Sequence, residues 1–356
     1  MSKKVVAVGM SGGVDSSVTA YLLQKQGYEV IGITMKHWGG IEDAKNGKSC
    51  CTIDDVYDAK RVCDQLGIPH YTVNFMDEFK KEVVDYFVEE YENGRTPNPC
   101  VVCNRKIKLG KLYEFTKTIG AEYLATGHYA VIKDGKLYAR FDNPKDQAYF
   151  LSQVDRETFN HLMFPLGDMK KDEVRAIAKE AGIKVHDKKD SQEICFIDND
   201  DYKDFLIKMT DGKILKKGNI VDETGKVLGK HECTSFYTIG QRKGLGISSP
   251  YPLYVLGSDI EKRTVIVGKD EQLMKKNLIC NKINLISAEK IEELEGKEVV
   301  VRGRSRDKYH RAKLKVIDSD IVEIEFIDEV RAVTPGQIAV FYESDGKVIG
   351  SGFIVK

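Results

Sequence analysis

Two sets of residues in this chain have the types and spacing that chemistry needs. The first is Gly9-Met10-Ser11-Gly12-Gly13-Val14-Asp15-Ser16-Ser17, directly after the apolar run Val5-Val6-Ala7-Val8. A short β-branched run suits a buried parallel strand. Glycines let the backbone take positive φ and come close to a ligand. Backbone N–H groups at the start of the helix that follows favour an anion, most often a phosphate. No Gly-Lys-Ser/Thr follows, which excludes the Walker-type P-loop. The alternative reading is a plain glycine-rich turn. The second set is sulfur. Cys100-Val101-Val102-Cys103 is a Cys-x-x-Cys, and Cys195 lies far away in the run Asp190-Ser191-Gln192-Glu193-Ile194-Cys195-Phe196-Ile197. Thiolates act as nucleophiles, sulfur carriers or soft-metal ligands. Pro97 and Pro99 argue against helix before Cys103. A helix beginning at Lys106 would place Cys103 at its N-terminus, where the dipole, Arg105 and Lys106 lower a thiol pKa. Cys195, between Ile194 and Phe196, also reads as an ordinary small core residue.

These residues need a scaffold, and the first half of the chain alternates strand and helix patterns. Strands are expected over residues 29–35, 70–74 and 123–126, and helices over 54–66, 78–91, 106–118 and 170–181. The alternation predicts an α/β fold with a doubly wound parallel sheet. Ligands of such sheets bind beyond the C-terminal strand ends, where Gly9, Met35 and Gly127-His128 all fall. After about residue 210 the texture changes to short strands between glycine turns, then to alternating segments such as 313–317 and 322–326. That spacing predicts a small central β-rich domain and a C-terminal β-barrel. The expected division is 1–210, 211–275 and 276–356.

The chain has 356 residues, with 55 Lys+Arg against 55 Asp+Glu, so net charge argues for no particular partner. Local charge does. Arg302-Gly303-Arg304-Ser305-Arg306-Asp307-Lys308-Tyr309-His310-Arg311-Ala312-Lys313-Leu314-Lys315 is basic with one acid and interleaved rings, which suits a phosphate backbone and a stacked base. A solvated strand face is the alternative, and loss of charge at Arg302, Arg304 and Lys308 is the test expected to separate them. No apolar run reaches the roughly twenty residues of a membrane span, and the N-terminus lacks a signal-peptide apolar region. A cytoplasmic location is expected. The eight cysteines are too few and too unevenly spaced for a secreted disulfide scaffold. Cys50, Cys51, Cys63, Cys233 and Cys280 are expected to serve packing. Cys100 and Cys103 alone could be half of a zinc site, but no second pair has zinc spacing.

The Ser-Gly-Gly-Val-Asp-Ser run resembles the PP-loop of ATP pyrophosphatases, which split ATP between the α- and β-phosphates. With residues 96–104, Gly127-His128-Tyr129, Lys145-Asp146-Gln147, 190–197 and Tyr237-Thr238-Ile239-Gly240-Gln241-Arg242-Lys243-Gly244, nearly the whole chain resembles the tRNA-specific 2-thiouridylase family. The resemblance implies an enzyme that adenylates, then thiolates, C2 of uridine 34 in tRNA. It implies ATP with Mg²⁺, a tRNA partner and an upstream sulfur donor. It assigns Cys103 as nucleophile and Cys195 as persulfide carrier, the two ending as a disulfide. Gly9, Met10, Ser11, Gly12, Gly13, Val14, Asp15, Ser16, Met35 and Gly127 would hold the nucleotide, Asp15 through Mg²⁺ or else merely as a favourable helix-start acid. Asn98, Pro99, Cys100, His128, Lys145, Asp146, Gln147, Lys308, Tyr309 and Gln337 would meet tRNA. One departure stands out: the family pattern has an aspartate where this chain has Cys100. A thiol replaces an acid/base carboxylate poorly. Cys100, Cys103 and Cys195 therefore form a three-thiolate set that would suit a four-iron cluster with one open iron. A small-molecule adenylating ligase and an RNA-binding protein with a structural metal are the rival readings.

Overall fold

The computed structural model describes residues 3–41, 53–185, 194–197, 199 and 201–355. Cys50, Cys51 and the stretch 190–193 of the Cys195 motif lie outside the described residues. The chain forms two compact units. The first comprises 1–84, 100–196 and 345–349, and the second 85–99, 197–344 and 350–356.

The first unit is built on a five-stranded sheet. Its strands are β1 (Val5–Gly9), β2 (Glu29–Lys36), β3 (His70–Asn74), β4 (Tyr123–Ala125) and, after the hairpin β5 (Val131–Lys133) and β6 (Lys136–Tyr138), β7 (Leu162–Met163). The order is β3-β2-β1-β4-β7, and every pairing is parallel. The order in which successive strands are added reverses between β1 and β4, so the crevice beyond their C-terminal ends is the switch point where such sheets bind ligands. The strand reads as the sequence predicts. Val6, Ala7 and Val8 are fully buried, each valine contributing about 1.5–3 kcal/mol by leaving water. Helix α1 (Val14–Lys25) follows and buries Val18, Ala20 and Leu23. It stops at Gly27, whose φ of 90° only glycine adopts readily.

The largest departure from the sequence reading concerns the Cys-x-x-Cys. The prolines do not exclude helix. Residues Pro99–Cys103 are α-helical, because proline at the first helical position lacks only an N–H that would be unbonded anyway. The helix runs on as a π-helical segment, Asn104–Lys111, and reverts to α over Leu112–Thr118. Cys103 is thus inside a helical run rather than at its start. A second π-helical turn, Lys80–Val84, interrupts the helix expected over 78–91.

The second unit holds two β-structures, save residues 348 and 349 of the last strand, which count with the first unit. One is a four-stranded sheet of β8 (Gly218–Val221), β9 (Val227–His231), β10 (Tyr254–Asp259) and β11 (Thr264–Gly268), ordered β10-β11-β8-β9. The other is a closed barrel of β12 (Met274–Leu285), β13 (Glu298–Arg302), β14 (His310–Asp318), β15 (Ile321–Arg331), β16 (Ile338–Tyr342) and β17 (Val348–Ile354). Alternation sets its faces: Ala312 and Leu314 are buried, while Lys313 is exposed.

Candidate active site

The loop after β1 is held by its own backbone and hydroxyls. Met10 N–H donates to Ile33 O of β2 at 2.8 Å. Ser16 Oγ accepts from the Ser11 N–H at 3.1 Å and lies 3.2 Å from Ser11 Oγ. Ser17 Oγ donates to Gly13 O at 2.8 Å. Gly12 needs its freedom: φ is +71°, and a Cβ there would stand 2.5 Å from Asp55 O. Gly127, at the end of β4, is a close-approach position, since its Cβ would fall 2.8 Å from Asp15 Cβ and 3.0 Å from the Ser16 nitrogen. The sequence-predicted residues Gly9–Ser16 and Gly127 therefore meet in one crevice. Met35 lies at the neighbouring end of β2, one residue before its last.

Asp15 does not stand open to a metal ion. Lys171 Nζ reaches both its carboxylate oxygens, at 2.9 and 2.8 Å, and Tyr129 Oη donates to Oδ1 at 2.8 Å. The Lys171 side chain is only 12% exposed. As placed, the carboxylate is neutralised by the lysine, so the arrangement does not fit Mg²⁺. Sequence reading missed Lys171. The available signal was a lysine at the first position of the helix Lys171–Glu180, where the helix dipole disfavours a cation.

The thiols come from two distant segments. Cys103 is buried, whereas Cys100 and Cys195 are exposed, so Cys195 is not a core residue. Its neighbour Phe196 is the anchor, packed edge-on against Trp38 at 6.1 Å and Phe79 at 5.8 Å. The three sulfurs share one electrostatic neighbourhood. Burial pushes the Cys103 thiol up to about 12, Lys108 pulls it down, and Cys195 and Cys100 add to the rise. Cys195 is pushed up to about 11, again by desolvation from the protein walls around it and against Lys108. Cys100 is raised for the same reason. The expected lowering of Cys103 by a helix N-terminus is thus overturned. Arg105 turns instead to Gln153 and Asp155, at 3.1 and 3.2 Å, and Lys106 to Glu82 at 3.9 Å. Among the described residues no three His, Cys, Asp or Glu side chains are placed to hold a metal ion. The three thiols as they stand do not form a cluster cradle. His128 has Nδ1 2.6 Å from Thr126 Oγ1, and burial, then Lys108, pushes its imidazole down to about 3. It is neutral at physiological pH.

Several residues expected at tRNA are built into the protein. Asp146 accepts from the Arg140 and Ala148 N–H groups at 2.8 and 3.1 Å. Gln147 exchanges bonds with Tyr129 through its side chain at 2.9 Å and its backbone N–H at 2.7 Å. Lys145 begins this turn, its N–H donating to Asn143 Oδ1 at 2.9 Å. Gln337 Nε2 donates to Thr96 O and Pro97 O at 2.8 and 3.2 Å, so it pins the loop that leads to buried Asn98 and to Pro99. In the basic stripe, Arg304 donates to Ile239 O at 3.2 Å, to Ala332 O at 2.8 Å and to Thr334 Oγ1. Arg302 donates to Asp307 O at 3.1 Å and lies 5.0 Å over the Tyr309 ring. Lys308 and Arg306 remain exposed. Beside them a barrel cavity of about 280 Å³ is lined by Arg304, Arg306, Asp307, Phe326 and Arg331 among others.

A glycine loop at the switch point of this sheet, in a unit that also gathers thiols from two segments, defines a nucleotide-using α/β enzyme of the PP-loop class. Comparison with known proteins narrows it. The family model described as tRNA methyl transferase HUP domain matches residues 4–199, with a PRC-barrel domain at 203–269 and an aminomethyltransferase β-barrel domain at 275–354. A protein of Fusobacterium nucleatum named tRNA-specific 2-thiouridylase MnmA 1 is 51% identical over 352 residues, covering 99% of this chain and 93% of the relative. A Caldanaerobacter subterraneus protein of the same name is 49% identical over 363 residues, covering 99% and 98%. A solved NMN synthetase from Francisella tularensis overlaps at 17% identity and a TM-score of 0.34, covering 60% of this chain and 79% of that one, too loosely to carry an argument. The chain belongs to the tRNA-specific 2-thiouridylase family.

Proposed function

We propose that this protein is an ATP-dependent sulfurtransferase that converts uridine 34 of tRNA to 2-thiouridine. The observation that carries the reading is that exposed Cys195 and Cys103, 92 positions apart by their numbers, share an electrostatic neighbourhood in the unit whose sheet bears the PP-loop. Its relatives bear the matching name. The word methyl in the family description gives no reason for a thiol pair, and sulfur transfer does.

The C2 carbonyl of uridine is a poor electrophile. The loop N–H groups hold the ATP phosphates, the uridine O2 attacks the α-phosphate, and pyrophosphate leaves. Cys195 carries a persulfide taken from an upstream persulfide donor. Its terminal sulfur attacks C2, and AMP departs with the electron pair of the C2–O bond. Cys103 then attacks the inner sulfur, giving a Cys103–Cys195 disulfide and leaving the second sulfur on C2. A cellular thiol reductant resets the pair. The base leaves its stack to reach such a site. No step is routed through Mg²⁺ or an iron–sulfur cluster, because neither donor set fits its metal as placed. Arg306, Lys308 and the barrel cavity supply a phosphate-binding surface. The expected three-part division, 1–210, 211–275 and 276–356, assigns chemistry to the first part and tRNA contact to the last. The six described cysteines are free thiols, as a reducing compartment requires, and among the described residues no helix is long and apolar enough to cross a membrane. We place the reaction in the cytoplasm.

The test is direct. Protein, tRNA, ATP and a small persulfide donor should yield 2-thiouridine by nucleoside mass spectrometry, with one pyrophosphate per thiolation. Pyrophosphate release dependent on a small molecule rather than tRNA would support the ligase reading instead.

A further inference from the structure

Lys108 lies five residues after Cys103. In a regular α-helix that separation turns the two side chains about 140° apart. The segment Asn104–Lys111 is π-helical, bonding each residue to the fifth one on, so residue 108 comes closer to the face of residue 103 than an α-helix would bring it. Gly110 permits the wide turn, since a Cβ there would stand 2.6 Å from Arg105 O. π-Turns interrupting α-helices recur at functional sites.

The charges around Lys108 are unusual. Its neighbours along the helix have carboxylates: Arg105 with Asp155 at 3.2 Å, Lys106 with Glu82 at 3.9 Å, and Lys111 with Glu114 at 3.4 Å. Lys108 has none among the described residues. Burial opposes its charge, yet Cys103, Cys195 and Cys100 outweigh burial and raise its pKa. Among the described residues, the other titratable groups that feel it are the imidazoles of His37 and His128, which burial holds neutral with help from Lys108 itself. A partly buried ammonium with no carboxylate partner among the described residues is costly, and such cost recurs where function supplies the missing anion.

We propose that Lys108 is the counter-cation of the anionic sulfur formed in this site, a positioning residue that holds the Cys195 persulfide anion for attack and then the Cys103 thiolate. The proposal rests on the sulfurtransferase reading and deepens it. Each sulfur step carries one negative charge. The persulfide anion gives its pair to C2 and AMP leaves with the C2–O pair. The Cys103 thiolate then gives its pair to Cys195 Sγ, and the broken S–S pair leaves on the sulfur bound to C2. Both anions form beside one ammonium.

The test compares wild type, Lys108→Met and Lys108→Arg, using glutathione persulfide as donor. Three quantities are read: tRNA-dependent pyrophosphate release, sulfane sulfur retained on Cys195 by alkylation and mass spectrometry, and 2-thiouridine. Lys108→Met should lose 2-thiouridine formation ~100-fold and shorten persulfide retention, with pyrophosphate release within about threefold of wild type. Lys108→Arg should recover to within about tenfold, because a guanidinium keeps the charge. Lys108→Gln replaces the methionine variant should that one not fold. Thiolation by the neutral variants within threefold of wild type overturns the proposal. So does a parallel fall in pyrophosphate release, thiolation and melting temperature that arginine does not rescue, which marks a structural lysine. A wild type that releases pyrophosphate but makes no 2-thiouridine overturns the parent reading, and persulfide retention still reports on Lys108.

Discussion

The glycine loop of the first unit and the basic stripe of the barrel are both short segments dense in functional residue types, and the fold uses them in opposite ways. In the loop, side chains bond to one another and to local carbonyls, Ser16 to Ser11 and Ser17 to Gly13. The loop is held in shape by its own hydroxyls and its residues stay together. In the stripe, the strongest-looking cations are consumed by the protein. Arg304 ties Ile239 O, Ala332 O and Thr334, and Arg302 ties Asp307 O. The exposed members, Arg306, Lys308 and Arg311 among them, keep their charge for a partner. A motif whose function lies in backbone shape is readable from spacing, because glycine and hydroxyl positions impose that shape locally. A charge run is not, because a guanidinium five donors wide satisfies buried carbonyls as readily as phosphates.

Four measurements would break or sharpen this contrast. The largest effect belongs to the sulfur that the first unit leaves exposed. Cys195→Ser should lower 2-thiouridine formation by ~10³-fold or more, as loss of a covalent carrier does, with melting temperature unchanged. Substantial activity in that variant would return Cys195 to ordinary packing. Next is the loop's dependence on a missing side chain. Gly127→Ala should reduce tRNA-dependent pyrophosphate release by ~10²-fold through displacement of the Asp15 helix start. Normal release would mean the crevice is looser than its 2.8 Å approach implies.

The stripe should separate into two behaviours. Arg304→Ala removes charged hydrogen bonds to buried carbonyls and should cost about 1.5–3 kcal/mol in urea unfolding. Arg306→Ala with Lys308→Ala should leave stability unchanged and flatten the log–log salt dependence of tRNA binding by about 0.7–0.9 per lost phosphate contact. A stability loss in the double variant, or an altered salt slope with Arg304→Ala at constant stability, would erase the distinction. The smallest effect is a pH dependence. His128 is held near 3 in the folded protein against about 6.5 when unfolded. The unfolded state therefore binds the extra proton below pH 6.5. Its stabilisation is fully present above that pH and is lost as pH falls toward 3. Between pH 7 and pH 5 wild type should lose more unfolding free energy than His128→Asn. Equal losses would place His128 in water.

Much of this molecule was legible in its amino-acid order. The strand His70–Asn74 and the strand Thr264–Gly268 fall where the apolar and glycine patterns put them, and β1, the glycine loop and α1 follow one another as spacing requires. The α/β sheet and the barrel were likewise readable. Local sterics and the two- and 3.6-residue periods act within a few positions, so they can be read along the chain. Four features of the site were settled only by packing. Lys171 finds Asp15 across 156 positions. Pro99 begins a helix that the prolines had argued against. Burial overrides the helix dipole and raises the Cys103 thiol. The π-helical segment carries Lys108, which shares an electrostatic neighbourhood with sulfurs from two parts of the chain. Each depends on which distant surfaces meet and how much water they exclude, and neither quantity is written in the spacing of neighbouring residues.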